Sequence, residues 1–117
     1  MKILKVVTLF TVIFTSSNAI AGAVGGPQSK RDTVMPGKSD VYTVVFEAQE
    51  PARVFVRGDG SSDLDCYVYD NGGHLVASDD DSTDVCTLRW TPSWTGKFQI
   101  KIVNRGTSAN EYLIRTN

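Results

Sequence analysis

The stretch Asp63–Asp70, DLDCYVYD, alternates between two kinds of side chain and decides how the rest of the chain is interpreted. Leu64, Cys66 and Val68 are apolar, whereas the residues between them carry carboxyl and phenol groups. A period of two places successive side chains on opposite faces of a β-strand. The stretch therefore predicts a strand of an antiparallel sheet, with one face on a core and the other in solvent.

Similar short alternating runs recur along the chain, divided by turn residues such as Asn71 and Gly72, a pair that accepts positive φ. No long helical periodicity interrupts them. Seven to eight short strands at near-regular spacing predict a small, all-β antiparallel sandwich in one domain. The alternation predicts that these residues face the core: Val44, Phe46, Val54, Val56, Leu64, Cys66, Val68, Cys86, Leu88, Trp90, Phe98, Ile100, Ile102, Tyr112 and Ile114.

Residues 1–23 have the layout of a secretory signal peptide. Two lysines are followed by an apolar run, Val6–Phe14, which is short for a membrane span, and then by small residues in the A-x-A pattern of a cleavage site. Cleavage is expected after Ala21 or Ala23, so the chain is expected to be secreted or periplasmic. The alternative is an uncleaved N-terminal anchor.

The part that follows the leader is expected to be one small domain. Residues 24–31 are rich in Gly and Pro and predict a flexible lead-in, and residues 32–117 carry the sandwich. The whole chain has a net charge of −1, and without the two leader lysines the charge is −3. This balance is mildly acidic and has no basic run, so neither nucleic acid nor an anionic membrane is an expected partner. A monomer is expected.

Cys66 and Cys86 are the two cysteines of the chain, and both have the inward phase of their predicted strands. An exported chain meets an oxidising compartment, so a disulfide between them is expected. It would close a loop of about 20 residues, for which chain entropy gives about 3 kcal/mol. The alternative is two small buried apolar side chains. A zinc site is not expected, because the chain has one histidine and no C-x-x-C spacing.

Carboxylates crowd one predicted strand face and one loop, residues 79–84, DDDSTD. Like charges in close proximity raise the free energy unless solvent or a cation relieves them, and hard oxygen ligands suit Ca²⁺. The alternative is a solvated acidic loop that keeps a sheet edge soluble. The candidate calcium ligands are Asp63, Asp65, Asp79, Asp81 and Asp84.

Three further residues are candidates for contact or catalysis. Trp94 lies in the turn TPSWTG and, if exposed, would contact a carbohydrate or a protein, whereas the alternative is a turn aromatic that covers one end of the sandwich. Tyr67, on the polar strand face, is a second candidate contact. His74 is the only histidine, follows a Gly-Gly turn and is expected to be exposed. No catalytic residue is assigned, and an enzyme is not expected.

The sequence DLDCYVYDNGGHLVASDDDSTDVCTLRWTPSWTGKFQIKIVNRGTSANEYLIRT, residues 63–116, resembles the bacterial pre-peptidase C-terminal (PPC) domain, whose pattern includes D-L-D-L-Y-[LV]-Y-D. The resemblance extends over residues 32–116. It implies a β-sandwich of jelly-roll type that accompanies secreted peptidases, and related collagen-binding domains bind Ca²⁺ and collagen. It aligns Asp63 and Asp65 with the D-x-D of the family, and Asp79 with its S-D.

Together these features predict an exported, non-catalytic binding or accessory module, with a protein or glycan ligand and with Ca²⁺ as a candidate cofactor. A first alternative is a partner that acts in trans on an exported peptidase, as inhibitor or folding helper. A second is a small hydrolase that uses His74 or the carboxylates. A stand-alone module is expected, because residues 24–117 carry the sandwich pattern and no peptidase pattern, and Cys66 occupies a position where the family usually has an aliphatic residue.

Overall fold

The computed structural model describes residues 22–117, and most of the predicted signal peptide lies outside them. The strands of the described part are β1 (Gln28–Val34), β2 (Ser39–Phe46), β3 (Ala52–Arg57), β4 (Leu64–Tyr69), β5 (Leu75–Asp79), β6 (Val85–Trp90), β7 (Gly96–Asn104) and β8 (Asn110–Thr116). The all-β prediction, with seven to eight strands, is confirmed. No helix within residues 22–117 is long and apolar enough to cross a membrane.

The strands form two four-stranded sheets, in the orders β1-β8-β3-β6 and β2-β7-β4-β5. All paired strands are antiparallel. Apart from the β4–β5 hairpin, each strand is followed by a strand of the other sheet. This order is that of a jelly roll, so the sandwich is of the predicted type.

The core lies between the two sheets and consists of the residues that the alternation predicts. Each of them is buried except Trp90, which is partly exposed and packs against the core. Trp90 and Phe46 make an edge-on ring contact with 4.8 Å between centroids. The period of two was therefore sufficient to assign the inward face of six of the strands.

Two contacts, a disulfide and a hydrogen bond, join the two sheets inside this core. Cys66 of β4 and Cys86 of β6 form a disulfide, with 6.2 Å between their Cα atoms, which confirms the predicted pair. The other link was not predicted. The Tyr112 hydroxyl on β8 donates to Asp40 on β2 at 2.6 Å and lies 2.5 Å from the hydroxyl of Tyr42. Burial raises the pKa of both tyrosines, so both hydroxyls keep their protons.

The predicted flexible lead-in, residues 24–31, differs from the structure. Residues 28–31 belong to β1, which pairs along its whole length with β8. Before it, Ala23 bridges to Phe46 and is 1% exposed. The sequence QSKRDTV has little apolar content, but an edge strand needs only backbone hydrogen bonds to one neighbour. The division of the chain into a leader and one domain stays a prediction.

The loops at the two ends of the sandwich have different chemistry. One end, here called the acidic end, carries loops 35–38, 58–63, 80–84 and 105–109. The opposite end, here called the aromatic end, carries loops 47–51, 70–74 and 91–95. The candidate calcium ligands thus lie at or near one end, and Trp94 lies at the other.

Candidate functional site

Asp65 lies on the outer face of its sheet, as predicted, but it is only 7% exposed. The guanidinium of Arg105 covers it, and Nε donates to Asp65 Oδ2 at 2.9 Å. Arg105 also donates to the Tyr67 hydroxyl at 3.2 Å. The expectation of a solvent-exposed Asp65 is wrong because Arg105 covers its carboxylate. Tyr67 is half-buried beside the same ion pair.

Asp63 precedes β4 and carries a carboxyl of the acidic end whose pKa is raised. Its Oδ1 is buried with no hydrogen-bond partner in the described chain, and the same holds for Asp65 Oδ1. Desolvation and the neighbouring charge of Asp65 raise the pKa of Asp63, with a further contribution from Asp81 that Arg105 partly offsets. A cation or a water between the two oxygens would relieve this arrangement.

The other three candidate ligands hold the loops of this end together. Asp79 accepts the backbone N–H of Thr87 at 2.8 Å. Asp81 caps its own turn by accepting the N–H and hydroxyl of Thr83, both at 2.9 Å, and these bonds lower the pKa of Asp81. These carboxylates therefore have structural partners.

Asp84 belongs to a buried polar cluster that sequence reasoning missed. Its Oδ2 accepts the N–H of Gly60 at 2.7 Å and the amide of Asn110 at 3.0 Å. Asn110 and Asn104 are fully buried, and the Asn104 amide donates to the carbonyl of Val34 at 3.0 Å. The two asparagines at strand ends are the sequence signal that could have indicated this cluster, because buried amide groups are usually hydrogen-bonded and often hold loops in place.

The five carboxylates do not form a calcium site in their present arrangement. Within residues 22–117, no three acidic, histidine or cysteine side chains are placed to hold a metal ion. Ca²⁺ takes six to eight oxygens in proteins. Calcium at the acidic end stays a prediction from the sequence, and it requires Asp81 and Asp84 to exchange their hydrogen bonds for the ion.

At the aromatic end, Trp94 is 53% exposed, as the ligand-contact alternative requires. Its indole lies over Gly96, so closely that a Cβ at that glycine would be 3.0 Å from Trp94 Cδ1. The turn that carries Trp94 is tied to the loop after β2, because the Pro92 carbonyl accepts the N–H of Gln49 at 2.7 Å. The exposed indole is therefore presented from a fixed turn.

A groove of about 270 Å³ opens beside Trp94. Its apolar lining includes Val76, Trp90, Pro92 and Phe98, and Asp70 contributes one carboxylate. Leu75, next to Val76 on the edge strand β5, is 54% exposed. Trp90 Nε1 is buried and has no acceptor in the described chain. Apolar grooves with a few polar groups and an exposed indole are typical of contact sites.

His74 is exposed, as predicted, and belongs to the β4–β5 turn. Its Nδ1 lies 3.2 Å from Asp70 Oδ1, which also accepts the backbone N–H groups of Gly72 and His74 at 2.9 Å. These bonds lower the pKa of Asp70, so the carboxylate organises the turn. No Ser or Thr hydroxyl of the described residues is hydrogen-bonded to the ring.

Two solved structures have folds similar to that of this chain. The chain is similar to the crystal structure of the pre-peptidase C-terminal domain of a Bacillus anthracis collagenase, with a TM-score of 0.63 and 12% identity over 88% of this chain and 100% of that one. It is also similar to Aeromonas hydrophila PliG, a periplasmic inhibitor of g-type lysozyme, with a TM-score of 0.57 and 16% identity over 78% and 84% of the two chains. No family model and no curated protein sequence matches. At these identities the likeness shows the fold alone.

Proposed function

We propose that this chain is an exported, non-catalytic β-sandwich that binds another exported protein through the groove beside Trp94. The observation that carries the proposal is the 53% exposure of Trp94 on a turn fixed by hydrogen bonds. An exposed indole beside an apolar groove costs solvation free energy in the free protein, and burial in an interface recovers it. Tryptophan is also among the residues that contribute most at interface centres.

Close ring packing beneath this groove, together with a cross-sheet disulfide elsewhere in the core, gives a preformed surface, which favours binding. The Cys66–Cys86 disulfide joins the sheets, and the rings of Phe46, Trp90 and Phe98 pack beneath the groove with centroids 4.8 to 6.0 Å apart. A preorganised surface loses little conformational entropy on association. The disulfide also supports export, because such bonds persist in oxidising compartments.

The two structural relatives support an exported enzyme as the kind of partner. One is a domain of a collagenase and the other inhibits a lysozyme. In the first case a sandwich of this fold is part of a collagenase, and in the second it is a periplasmic inhibitor of a lysozyme. We extend this association to the present chain as part of the proposal.

Co-purification from the exported fraction of the native cells tests the proposal. Tagged wild-type protein should retain a partner that Trp94→Ala loses and that Gly96→Ala, which displaces the indole without removing it, weakens. Met35→Ala is the matched control, because Met35 is 52% exposed and lies at the acidic end. Equal recovery of all partners by wild type and Trp94→Ala would overturn the proposal.

Inhibition is a second candidate within this function, favoured by the likeness to PliG. Purified protein should lower the activity of a g-type lysozyme or of a co-exported peptidase at near-stoichiometric concentration. Trp94→Ala should weaken the inhibition. If neither enzyme class is affected, inhibition is excluded for those classes while accessory binding is still tested by co-purification.

A further inference from the structure

Five arginines from four different strands share the outer face of the β1-β8-β3-β6 sheet. All five are exposed, and the face, here called the arginine face, carries Arg31, Arg53, Arg57, Arg89 and Arg115. The strand register places them there. The inward residues of β8 and β3 are buried, so the residues between them point outward. A mildly acidic chain thus concentrates much of its positive charge on one sheet.

The register arranges four of these arginines along a diagonal. Arg31 is opposite Leu113, and Arg115, two residues further along β8, is opposite Phe55. On β3, Arg53 lies two residues before Phe55. It is opposite Arg89 of the neighbouring strand β6. With strands about 4.8 Å apart and a rise of about 3.4 Å per residue, successive arginines lie about 5 to 8 Å apart over a span of about 20 Å.

Within residues 22–117, no carboxylate lies at ion-pair distance from the guanidinium groups of this face. In the part of the chain that the structure describes, none of the five guanidinium groups forms an ion pair or a side-chain hydrogen bond. Arg53 and Arg89 are direct cross-strand neighbours, an arrangement of like charges that destabilises a sheet. Two carboxylates lie near this face: Glu111 is two residues from Leu113 on β8, next to the row that carries Arg31 and Arg57, and Asp79 accepts the N–H of Thr87 at the edge strand. An external anion would relieve this repulsion.

Between the arginines, the face offers groups that suit a sugar. The middle row runs across Ser29, Arg115, Phe55 and Thr87, so two hydroxyls flank a cation and a ring. Around Phe55 the surface forms a shallow depression of about 480 Å³. Hydroxyl and guanidinium groups bond to sugar hydroxyls and acidic substituents, and an aromatic face packs against the C–H groups of a sugar ring.

We infer that the arginine face binds a linear anionic polysaccharide, one that carries sulfate or carboxylate groups, which would lie along the diagonal from Arg31 to Arg89. The face is shallow and its apolar content is limited to Phe55, Leu113 and Val85, whereas the centre of a protein interface is richer in apolar area. This surface is on a different part of the sandwich from the Trp94 groove. The inference about the arginine face can therefore be tested independently of the proposed function.

Binding measurements on the purified protein test the inference. The probes are heparin for sulfate groups, polygalacturonate for carboxylate groups and dextran as the neutral polymer. Heparin or polygalacturonate should bind, dextran should not, and the affinity should fall by about 50- to 500-fold between 50 and 200 mM NaCl, as counterion release by four or five cations requires. A failure of both anionic polymers to bind at 50 mM NaCl would overturn the inference.

Variants locate the surface. Arg53→Gln/Arg89→Gln should weaken binding by about 10-fold or more and reduce the salt slope by about two. The control is Lys97→Gln/Lys101→Gln, which removes two charges from the outer face of the other sheet and should leave the affinity unchanged. Equal weakening by both double variants would contradict the assignment. Trp94→Ala should not alter polysaccharide binding, which separates this test from that of the proposed function.

Three further outcomes would replace the polysaccharide with a different occupant. Tighter binding of DNA than of either anionic polysaccharide would assign the face to nucleic acid. Tighter binding of polyglutamate would assign it to an acidic protein segment. A dimer in light scattering that Arg53→Gln/Arg89→Gln dissociates would assign it to a second copy of this chain. Each of these results would overturn the inference.

Discussion

Asp63 is a residue whose negative charge the fold disfavours. Its pKa is raised by desolvation and by Asp65, so the folded protein holds this proton more tightly than the unfolded chain does. The free energy of unfolding therefore falls as the pH rises through this pKa. In chelator at pH 7, Asp63→Asn should raise that free energy by about 0.5 kcal/mol, the scale of a surface substitution. Denaturant titration measures it.

The pH dependence and a matched variant sharpen this prediction. The gain from Asp63→Asn should disappear near pH 3, below the ordinary carboxyl pKa of about 3.9. Asp80→Asn is the control, since Asp80 is exposed in the neighbouring loop and should leave stability unchanged. A loss of stability in Asp63→Asn would show that the charged carboxylate makes a favourable contact.

The prediction that Ca²⁺ binds at the acidic end also concerns individual carboxylates. If Ca²⁺ binds Asp63 and Asp65 together with the Asp79–Asp84 loop, it should raise the melting temperature of the wild type, because a ligand that binds only the folded state stabilises it. Asp63→Asn should abolish the rise. The measurement is thermal unfolding in millimolar CaCl₂ and in EDTA, and identical wild-type curves would contradict the prediction.

At the scale of strands, the Tyr112–Asp40 hydrogen bond links β8 to β2 across the core at 2.6 Å. Tyr112→Phe removes the donor and leaves a buried carboxylate with one bond fewer. The free energy of unfolding should fall by about 1–3 kcal/mol, the cost of an unmet buried polar group. Tyr69→Phe, which alters a partly exposed tyrosine of β4, should change it by less than about 0.5 kcal/mol. Equal effects would contradict the role of the cross-sheet bond.

Strands with one apolar face could be predicted from the sequence, and strands without one could not. Cys66 and Cys86 were assigned to the core because they share the phase of their apolar neighbours. β1 was missed because its pairing with β8 depends on backbone bonds that no side-chain pattern records. The burial of Asp65 was missed because its cover, Arg105, is 40 residues away in the chain.

Surfaces assembled from several strands were also beyond the sequence. The arginine face depends on the register of four strands, so neither the net charge nor any local run of basic residues indicated it. The exposure of Trp94, in contrast, could be anticipated from the sequence. A tryptophan in a Pro- and Gly-containing turn was a sufficient signal, and the structure added the groove beside it.

At the scale of the molecule, the N-terminal segment is integrated into the sandwich, and this bears on the predicted cleavage. The Gly22 carbonyl accepts the N–H of Glu47 at 3.0 Å, and the Ala23 N–H donates to the carbonyl of Asn117 at 2.8 Å. Cleavage after Ala23 would remove both contacts. The exported protein should therefore begin at Gly22, which intact-mass analysis can check. A mature chain that begins at Val24 would contradict this.

Binding of an exported enzyme through the Trp94 groove can be tested by site-specific photo-crosslinking in the native cells. A photoreactive phenylalanine analogue is placed at position 94 or, as control, at position 35, and the exported protein is irradiated before purification. We expect a discrete crosslinked adduct with an exported enzyme from position 94 and none from position 35. The absence of an adduct at position 94, or the same adducts from both positions, would contradict it.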